Sequence, residues 1–299
     1  MREVRISPTG DFDNGARTYA HITALPLSAA MGAEITGADL TRLSDAALAE
    51  MQDALWRHKM IYVRGQRLTH EQHRDFSAHW GEFATDAYTK GVPGVPEVQP
   101  VIKEADTRTK ALFGSGWHTD SAFLPMPPAI STLRSVEIPP FGGDTNWADC
   151  ALALRMLSPA MQAMLAPLKV RMSAEANIQT SFKLEGKALP FASDQAQADA
   201  IEGTAHPLVR THPESGEKSL YVDEVYATGI DGMTEAESRP LLSFLTGHIT
   251  QHAFTCRLRW EPDMLVMWDN RLCLHLAPND YDGHRREMYR TTIAGGVVE

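Results

Sequence analysis

Several segments of the chain combine the apolar spacing of helices with suitable capping residues. A helix is predicted to begin after Ser44, because a serine N-cap there precedes a stripe of apolar positions at helical spacing. That stripe consists of Leu48, Met51, Leu55 and Trp56. Capping-box spacing predicts two more helices, which begin at Thr69 with Gln72 and at Thr234 with Glu237. Two short helices are expected within 151–166.

The other apolar runs are short and are separated by turn residues, which is typical of β-strands. The predicted strands are 60–63, 117–123, 129–138, 145–149, 209–212, 220–222, 254–260, 264–268 and 286–295. Because strands are numerous and helices do not alternate with them, we predict a mostly-β fold with flanking helices. A β-sandwich or jelly roll is favoured over a βαβ architecture.

Two stretches lack a clear period. Residues 81–116 are rich in proline and glycine and are predicted to be mostly loop. Residues 182–203 have no period either, and the segment 174–204 is a candidate lid. No linker of biased composition divides the chain, so we expect one domain over 1–299.

Composition and charge exclude several classes of protein. The 28 basic and 38 acidic residues give a net charge of −10, which is unsuited to binding nucleic acid backbones. No run of about 18 apolar residues could span a membrane, and the first residues lack the apolar segment of a signal peptide. The three cysteines form no C-x-x-C pair. We expect a soluble, cytoplasmic protein without nucleic acid or membrane partners.

Two of the twelve histidines occur in a His-x-Asp pattern. His73 and Asp75 lie in a predicted helix, where positions two apart point about 200° apart. They cannot share one ion, and His73 is predicted to lie on the helix surface. His118 and Asp120 lie in a predicted strand, where residues two apart share a face. This second pair is a candidate metal-binding pair.

His275 is the best candidate for a third metal ligand. It lies in an apolar run, where a histidine is costly unless it is paired, although a core histidine bonded to a backbone carbonyl is an alternative. Two imidazoles and one carboxylate form the facial triad of non-haem Fe(II) oxygenases. Arg286 and Arg290 share a face of the last strand and would suit anions, or they would lie on a solvated edge.

Together these residues resemble the taurine/2,4-dichlorophenoxyacetate dioxygenase family, whose members depend on Fe(II) and 2-oxoglutarate. The resemblance rests on motifs in order along most of the chain: WHTD at 117–120, GGDT at 142–145, VRTHPESG at 209–216 and WDNR…H at 268–275. The two arginines follow the distal histidine by 11 and 15 residues, as in the family.

The resemblance implies a double-stranded β-helix (jelly-roll) core with His118, Asp120 and His275 as iron ligands. It implies that Thr145 and Arg286 hold the far carboxylate of 2-oxoglutarate, with Trp268 lining the same pocket. The implied reaction consumes O₂ and 2-oxoglutarate, releases succinate and CO₂, and hydroxylates a substrate. Arg290 matches the position that binds an anionic group of the substrate in several members.

Departures from the taurine enzymes bear on the substrate. Gly114, Tyr226 and the helix that contains MTEAESRPLL are closer to the branch that cleaves aryloxypropionates, so a small carboxylate substrate is preferred, provided that protein acids do not pair with Arg290. Asp86 would contact an amine, or it is a solvated loop residue. A sulfonate- or alkyl-sulfate-cleaving member of the family, a zinc hydrolase and a non-catalytic jelly-roll module are the alternatives. Besides this organic acid, a second copy of the chain is a possible partner.

Overall fold

The computed structural model describes residues 8–85, 87–109, 114–185, 191 and 193–298. The strands are β1 (Arg17–Thr18), β2 (Thr23–Pro26), β3 (Ala33–Thr36), β4 (Met60–Val63), β5 (Gln99–Lys103), β6 (Ile130–Glu137), β7 (Thr145–Asp149), β8 (Lys169–Met172), β9 (Thr204–Pro207), β10 (Val209–Thr211), β11 (Lys218–Leu220), β12 (Ala227–Ile230), β13 (Thr255–Leu258), β14 (Leu265–Asp269), β15 (Cys273–Leu276) and β16 (Arg286–Ile293). The helices are α1 (Asp45–His58), α2 (His70–Ala78), α3 (Cys150–Arg155), α4 (Pro159–Leu165), α5 (Glu175–Glu185), α6 (Asp194–Glu202) and α7 (Glu235–Ile249).

The largest sheet has eight strands in the order β1-β2-β3-β4-β14-β6-β16-β5. Its neighbouring strands pair antiparallel except β3 and β4, which are parallel because α1 connects them as a crossover. Both faces of its centre are buried, and alternate residues of β14 enter different cores. Leu265 and Met267 pack in the cluster that includes residues of α1 and α2, whereas Val266 and Trp268 face the opposite side.

A three-stranded sheet, β13-β7-β15, packs against that opposite face. The rings of Trp147 on β7 and Trp268 on β14 are 5.9 Å apart and join the two layers. Two further sheets have no strand hydrogen-bonded to these layers among the described residues: the three-stranded sheet β12-β8-β9 and the pair β10-β11. The mostly-β architecture with flanking helices is therefore as predicted. None of the described helices is both long and apolar enough to cross a membrane.

The capping signals located the helices well. Thr69 and Gln72 form the predicted capping box, because the backbone N–H of each residue donates a hydrogen bond to the side chain of the other. Ser44 accepts a hydrogen bond from the backbone N–H of Ala47 and begins α1. The strand predicted at 209–212 is present as β10, which pairs antiparallel with β11.

Two regions differ from the prediction. Part of 81–116 is not loop, because Gln99–Lys103 forms β5 on the edge of the main sheet, where Pro100 is tolerated. Much of 174–204 is helical, as α5 and α6, although 186–190 and 192 lie outside the described residues. The hydrophobic period missed α6 because Ala200 is its one fully buried residue among those described.

The prediction that His73 lies on the surface is wrong. Its side chain is completely buried where α2 packs against the main sheet, and its Nε2 lies 2.6 Å from the Thr132 hydroxyl. The hydroxyl of Thr132 also contacts those of Ser77 and Thr291. Burial lowers the pKa of His73 to about 3, so this histidine is neutral, with Nε2 in a buried polar cluster and Nδ1 buried without a partner among the described residues.

Candidate functional site

His118, Asp120 and His275 converge between the two sheets. The ligand atoms that they offer all lie within 4.8 Å of one another, and all three residues are buried. Asp120 Oδ1 is 4.0 Å from His118 Nε2 and 3.8 Å from His275 Nε2. Donors that each lie about 2.1 Å from one ion are at most about 4.2 Å apart, so these separations suit a shared cation.

The backbone brings the two histidines together without a regular strand at 117–123. His118 and His275 form an isolated bridge, in which each backbone N–H donates to the other's carbonyl at 3.0 and 2.8 Å. The predicted strand around His118 is therefore reduced to this single bridge on the edge of β15. The bridge holds the two imidazole rings with their centroids 4.1 Å apart.

The hydrogen bonding of His118 and the protonation states of His275 and Asp120 suit a divalent cation. Nδ1 of His118 lies 2.9 Å from the Gly116 carbonyl oxygen, and an N–H donated there directs the Nε2 lone pair towards the other two side chains. Burial lowers the pKa of His275 to about 3, which keeps its imidazole neutral. Burial would raise the pKa of Asp120, but the charge of the Arg290 guanidinium, helped by the hydrogen bond from Ser131, outweighs it and lowers the pKa to about 2.

The alternative role of His275 as a core histidine bonded to a backbone carbonyl is not supported. Its Nδ1 is buried and has no hydrogen-bond partner among the described residues, while its Nε2 faces Asp120. The ring also packs 4.9 Å from that of Trp268. The position of Nε2 suits a metal ligand, whereas the unpaired Nδ1 by itself favours neither role.

Arg290 is paired with a protein acid, contrary to the condition attached to the carboxylate prediction. Its Nη1 donates to Asp120 Oδ1 at 3.2 Å. The contact is possible because Arg290, on β16, lines the same cavity as Asp120. A carboxylate oxygen has more than one acceptor direction, so Oδ1 can accept this bond and also face a cation.

A cavity of about 310 Å³ adjoins the three side chains. It is lined by Tyr88, Thr89, Pro100, Val101, Ile102, Lys103, Gly114, His118, Asp120, Leu133, Thr145, Trp268, His275, Ala277, Pro278, Tyr281, Arg286 and Arg290. Both predicted arginines therefore reach the cavity from β16, as their four-residue spacing indicated. The lining is mostly apolar, with cationic groups at defined places.

Arg286 is a buried cation with unused donors. The residue is 5% exposed, and its Nε and Nη2 have no hydrogen-bond partner among the described residues. Its Cζ lies 5.8 Å from the Trp260 ring and 5.9 Å from the Tyr281 ring, while burial lowers its pKa. Two unpaired N–H groups in a fixed fork match a carboxylate, so this end of the cavity fits the far carboxylate of 2-oxoglutarate.

The GGDT segment places Thr145 in the lining of the same cavity as Arg286. Gly142 has a φ of +70°, and a Cβ there would lie 2.5 Å from the carbonyl oxygen of Asp280, so the turn requires glycine. The backbone N–H of Gly143 donates to Asp280 Oδ1 at 2.7 Å. Thr145 then begins β7, and its hydroxyl accepts the indole N–H of Trp260 at 2.9 Å.

The remaining predicted site residues have mixed outcomes. Trp268 and Gly114 line the cavity, and Gly114 has a φ of +82°. Tyr226 does not form the described wall; it is buried behind Tyr88, with the two hydroxyl oxygens 3.3 Å apart. Asp86 lies outside the described residues.

Several site residues were missed by sequence reasoning. Tyr88 and Lys103 lie in the stretch that was predicted to be loop, and no periodic signal identified them. Ser131 donates a hydrogen bond to Asp120 Oδ2, and Asn270 donates one to Ser131. Asn270 lies within the WDNR motif, which identified this segment but indicated no role for the asparagine.

Comparisons with known proteins agree with this geometry. Residues 23–292 match the taurine catabolism dioxygenase TauD, TfdA family. The chain is 34% identical to an alpha-ketoglutarate-dependent sulfate ester dioxygenase of Pseudomonas putida, over 91% of this chain and 89% of that protein. It is 30% identical to a (S)-phenoxypropionate/alpha-ketoglutarate-dioxygenase of Sphingobium herbicidovorans, over 90% of this chain and 94% of that one.

The fold agrees as well. A crystal structure of a taurine dioxygenase from Burkholderia xenovorans superimposes with a TM-score of 0.77 and 39% identity, over 93% of this chain and 91% of that one. The predicted reaction class and the cofactors Fe(II), 2-oxoglutarate and O₂ are confirmed. The chain belongs to the taurine catabolism dioxygenase TauD, TfdA family, and it is an Fe(II)- and 2-oxoglutarate-dependent dioxygenase.

Proposed function

We propose that the chain hydroxylates a small organic anion, with Fe(II) held by His118, Asp120 and His275. In this proposal Arg286 and Thr145 bind the far carboxylate of 2-oxoglutarate. The observation that carries it is that the three ligands and the buried guanidinium with two unpaired donors line one cavity. We also infer that the two facing sheets are the walls of a double-stranded β-helix.

The side chains have separate tasks in this proposal. Arg286 and Thr145 fix the tail of the co-substrate, so that its keto acid end lies towards the three ligands. When bound, iron with 2-oxoglutarate and O₂ supplies an oxidant, with succinate and CO₂ as products. The mostly apolar wall, which includes Leu133 and Trp268, limits the access of water.

The size and charge of the cavity define the substrate class. Its volume of about 310 Å³ is at the lower end of the range of about 300–1,000 Å³ for ligand pockets, which favours a small substrate. Arg290 supplies the cation nearest to the three ligands and is proposed to bind the anionic group of the substrate. A carboxylate such as an aryloxyalkanoate is the first candidate, but the pairing of Arg290 with Asp120 removes the reason for preferring it over other anions.

A sulfate ester or sulfonate is the second candidate. The relative that is a sulfate ester dioxygenase shares 34% identity with the chain, more than the 30% of the phenoxypropionate enzyme. A guanidinium accepts either kind of anion, so Arg290 is consistent with both. The two candidates differ in the group that is released from the substrate carbon after it is hydroxylated.

We further propose one catalytic domain over 1–299, with 174–204 as its lid. One buried core cluster runs from Ala30 to Val298, which supports a single unit. Phe191, which follows the described part of α5, packs its ring 4.8 Å from that of Tyr88 in the cavity wall. A cytoplasmic location is proposed because the three buried cysteines are not joined in disulfides.

The experiment that tests the function measures succinate formed from 2-oxoglutarate with a panel of aryloxyalkanoates, other carboxylates, alkyl sulfates and sulfonates. We expect one anionic class to stimulate succinate formation. Arg290→Ala is expected to raise the KM for that substrate about ten-fold or more at saturating Fe(II), as a lost charge-assisted contact requires. Arg285→Ala, which removes an arginine paired with Glu104 and Glu137 at the surface, is the matched control. An unchanged KM in Arg290→Ala for every accepted anion would contradict the role of Arg290.

A further inference from the structure

A chain of buried hydrogen bonds leads from Trp268 to Asp120. The indole N–H of Trp268 donates to Asn270 Oδ1 at 2.9 Å, and Asn270 Nδ2 donates to Ser131 Oγ at 2.9 Å. The Ser131 hydroxyl then donates to Asp120 Oδ2 at 2.5 Å. The side chains in this chain are buried, so water does not compete for these bonds.

The direction of this chain is fixed by its first group. An indole N–H can only donate, so the amide of Asn270 must turn its oxygen towards Trp268 and its NH₂ towards Ser131. The Ser131 oxygen is thereby occupied as an acceptor, and its own hydrogen is directed to Asp120. Each bond of the series polarises the next one in the same sense.

The backbone of Asn270 is anchored on both sides. Its N–H donates to the carbonyl of Ala129 at 2.8 Å, and its carbonyl accepts the Thr119 hydroxyl at 2.9 Å. Ser131 is equally fixed, because it lies on β6 in register with Trp268 on β14. The amide and the hydroxyl that reach Asp120 are therefore held by two strands and a turn.

The consequence falls on the two oxygens of Asp120. Oδ2 accepts the Ser131 hydroxyl, whereas Oδ1 faces both imidazoles at 3.8 and 4.0 Å and also accepts the Arg290 Nη1–H at 3.2 Å, which leaves it an acceptor direction for a cation. We propose that Ser131 and Asn270 are positioning residues that make Asp120 present one oxygen, Oδ1, to the metal. This inference rests on the proposed metal role of Asp120. A single-oxygen contact leaves positions of the ion open for the co-substrate and O₂.

The test measures the binding of Co(II) alone by calorimetric titration and by visible absorption, in the full-length protein without 2-oxoglutarate. Ser131→Ala and Asn270→Ala are each expected to raise the Kd for Co(II) about ten-fold and to alter the Co(II) spectrum, since loss of a group that orients a ligand costs about 10–100-fold in affinity. Because Asn270 acts through Ser131, the double variant is expected to bind like Ser131→Ala rather than with the product of the two effects.

Ser135→Ala is the matched control, because Ser135 is a buried serine on the same strand whose hydroxyl donates to the Glu261 carbonyl. Asp120→Ala tests the metal site itself, and equal Co(II) binding by it and the wild type would refute the proposed function. If Asp120→Ala abolishes binding but Ser131→Ala binds within two-fold of Ser135→Ala, only the positioning role is refuted. If the Kd of the double variant rises by the product of the two single effects, the claim that Asn270 acts through Ser131 is also refuted.

Discussion

The substitution Arg286→Met is expected to weaken the binding of 2-oxoglutarate without lowering the stability of the protein. The buried guanidinium destabilises the ligand-free protein, but it binds a carboxylate when 2-oxoglutarate is present. Methionine has a similar length, no charge and an adaptable side chain. Truncating one partner of a buried, hydrogen-bonded charge pair costs about 2–5 kcal/mol. Since ~1.4 kcal/mol is tenfold, the KM for 2-oxoglutarate is expected to rise at least about 30-fold.

The free protein is expected to respond in the opposite direction. Nε and Nη2 of Arg286 are buried without partners among the described residues, and a buried unsatisfied donor costs about 1–3 kcal/mol. The substitution removes both donors, and it loses contacts with the Trp260 and Tyr281 rings that are worth about 0.5–2 kcal/mol each. The free energy of unfolding without Fe(II) and 2-oxoglutarate should therefore be unchanged or higher.

The assay is the dependence of succinate formation on 2-oxoglutarate, together with urea unfolding of the ligand-free protein. Arg134→Met is the control, since Arg134 is a buried arginine that faces His70 on the outer side of the sheet. It should leave the KM for 2-oxoglutarate unchanged. A KM within three-fold of wild type in Arg286→Met, or a clear loss of stability, would refute the reasoning.

Three further outcomes are expected. His73 has a folded pKa of about 3 against 6.5 when unfolded, so its contribution to stability is complete above pH 6.5 and is lost as the pH falls towards 3, at up to about 1.4 kcal/mol per pH unit. Urea unfolding at several pH values should show a shallower decline in His73→Gln, and parallel profiles would contradict this. Thr145→Val removes a hydroxyl from the cavity that Arg286 also lines and should raise the KM for 2-oxoglutarate up to about ten-fold in the succinate assay; an unchanged KM would exclude Thr145 from the subsite. Gly114→Ala places a side chain at a φ of +82°, 3.4 Å from the His118 ring, and should lower the free energy of unfolding by about 1–2 kcal/mol. An unchanged unfolding midpoint would show that the loop adapts.

Local signals accounted for most of the predicted framework. A capping box acts within four residues, so Thr69 with Gln72 located α2 without knowledge of the fold. Spacing also sufficed for Arg286 and Arg290, because residues four apart on a strand share a face. The convergence of His118 with His275 was predicted from the family resemblance and from the metal-binding chemistry of these residues. The backbone bridge that brings them together could not be predicted from the sequence.

The missed features depend on partners that are distant in the sequence. His73 is buried against the sheet, where Thr132, 59 residues away, hydrogen-bonds its Nε2. Arg290 pairs with Asp120 across 170 residues, and Asn270 reaches Ser131 across 139. No period or motif reports such contacts, since they arise only when separate strands are placed side by side.

The same reasoning explains the misread elements. β5 carries a proline that normally argues against a strand, and it is tolerated because the strand lies at the edge of the sheet. α6 lacks an apolar stripe, and a Ser193 cap with good helix formers is enough to begin it. Tyr226, which the resemblance linked to the choice of substrate, is not in the described cavity wall; Tyr88 is, with its hydroxyl oxygen 3.3 Å from that of Tyr226.

The most direct measurement of the central claim is the visible absorption of the protein with Fe(II) and 2-oxoglutarate in the absence of oxygen. A metal-to-ligand band that requires both additions is expected in the wild type and in Ser135→Ala. The band should be lost in Asp120→Ala and in His275→Ala. An iron-loaded protein without the band, or an unchanged band in Asp120→Ala, would contradict the account of one ferrous ion held by these three side chains.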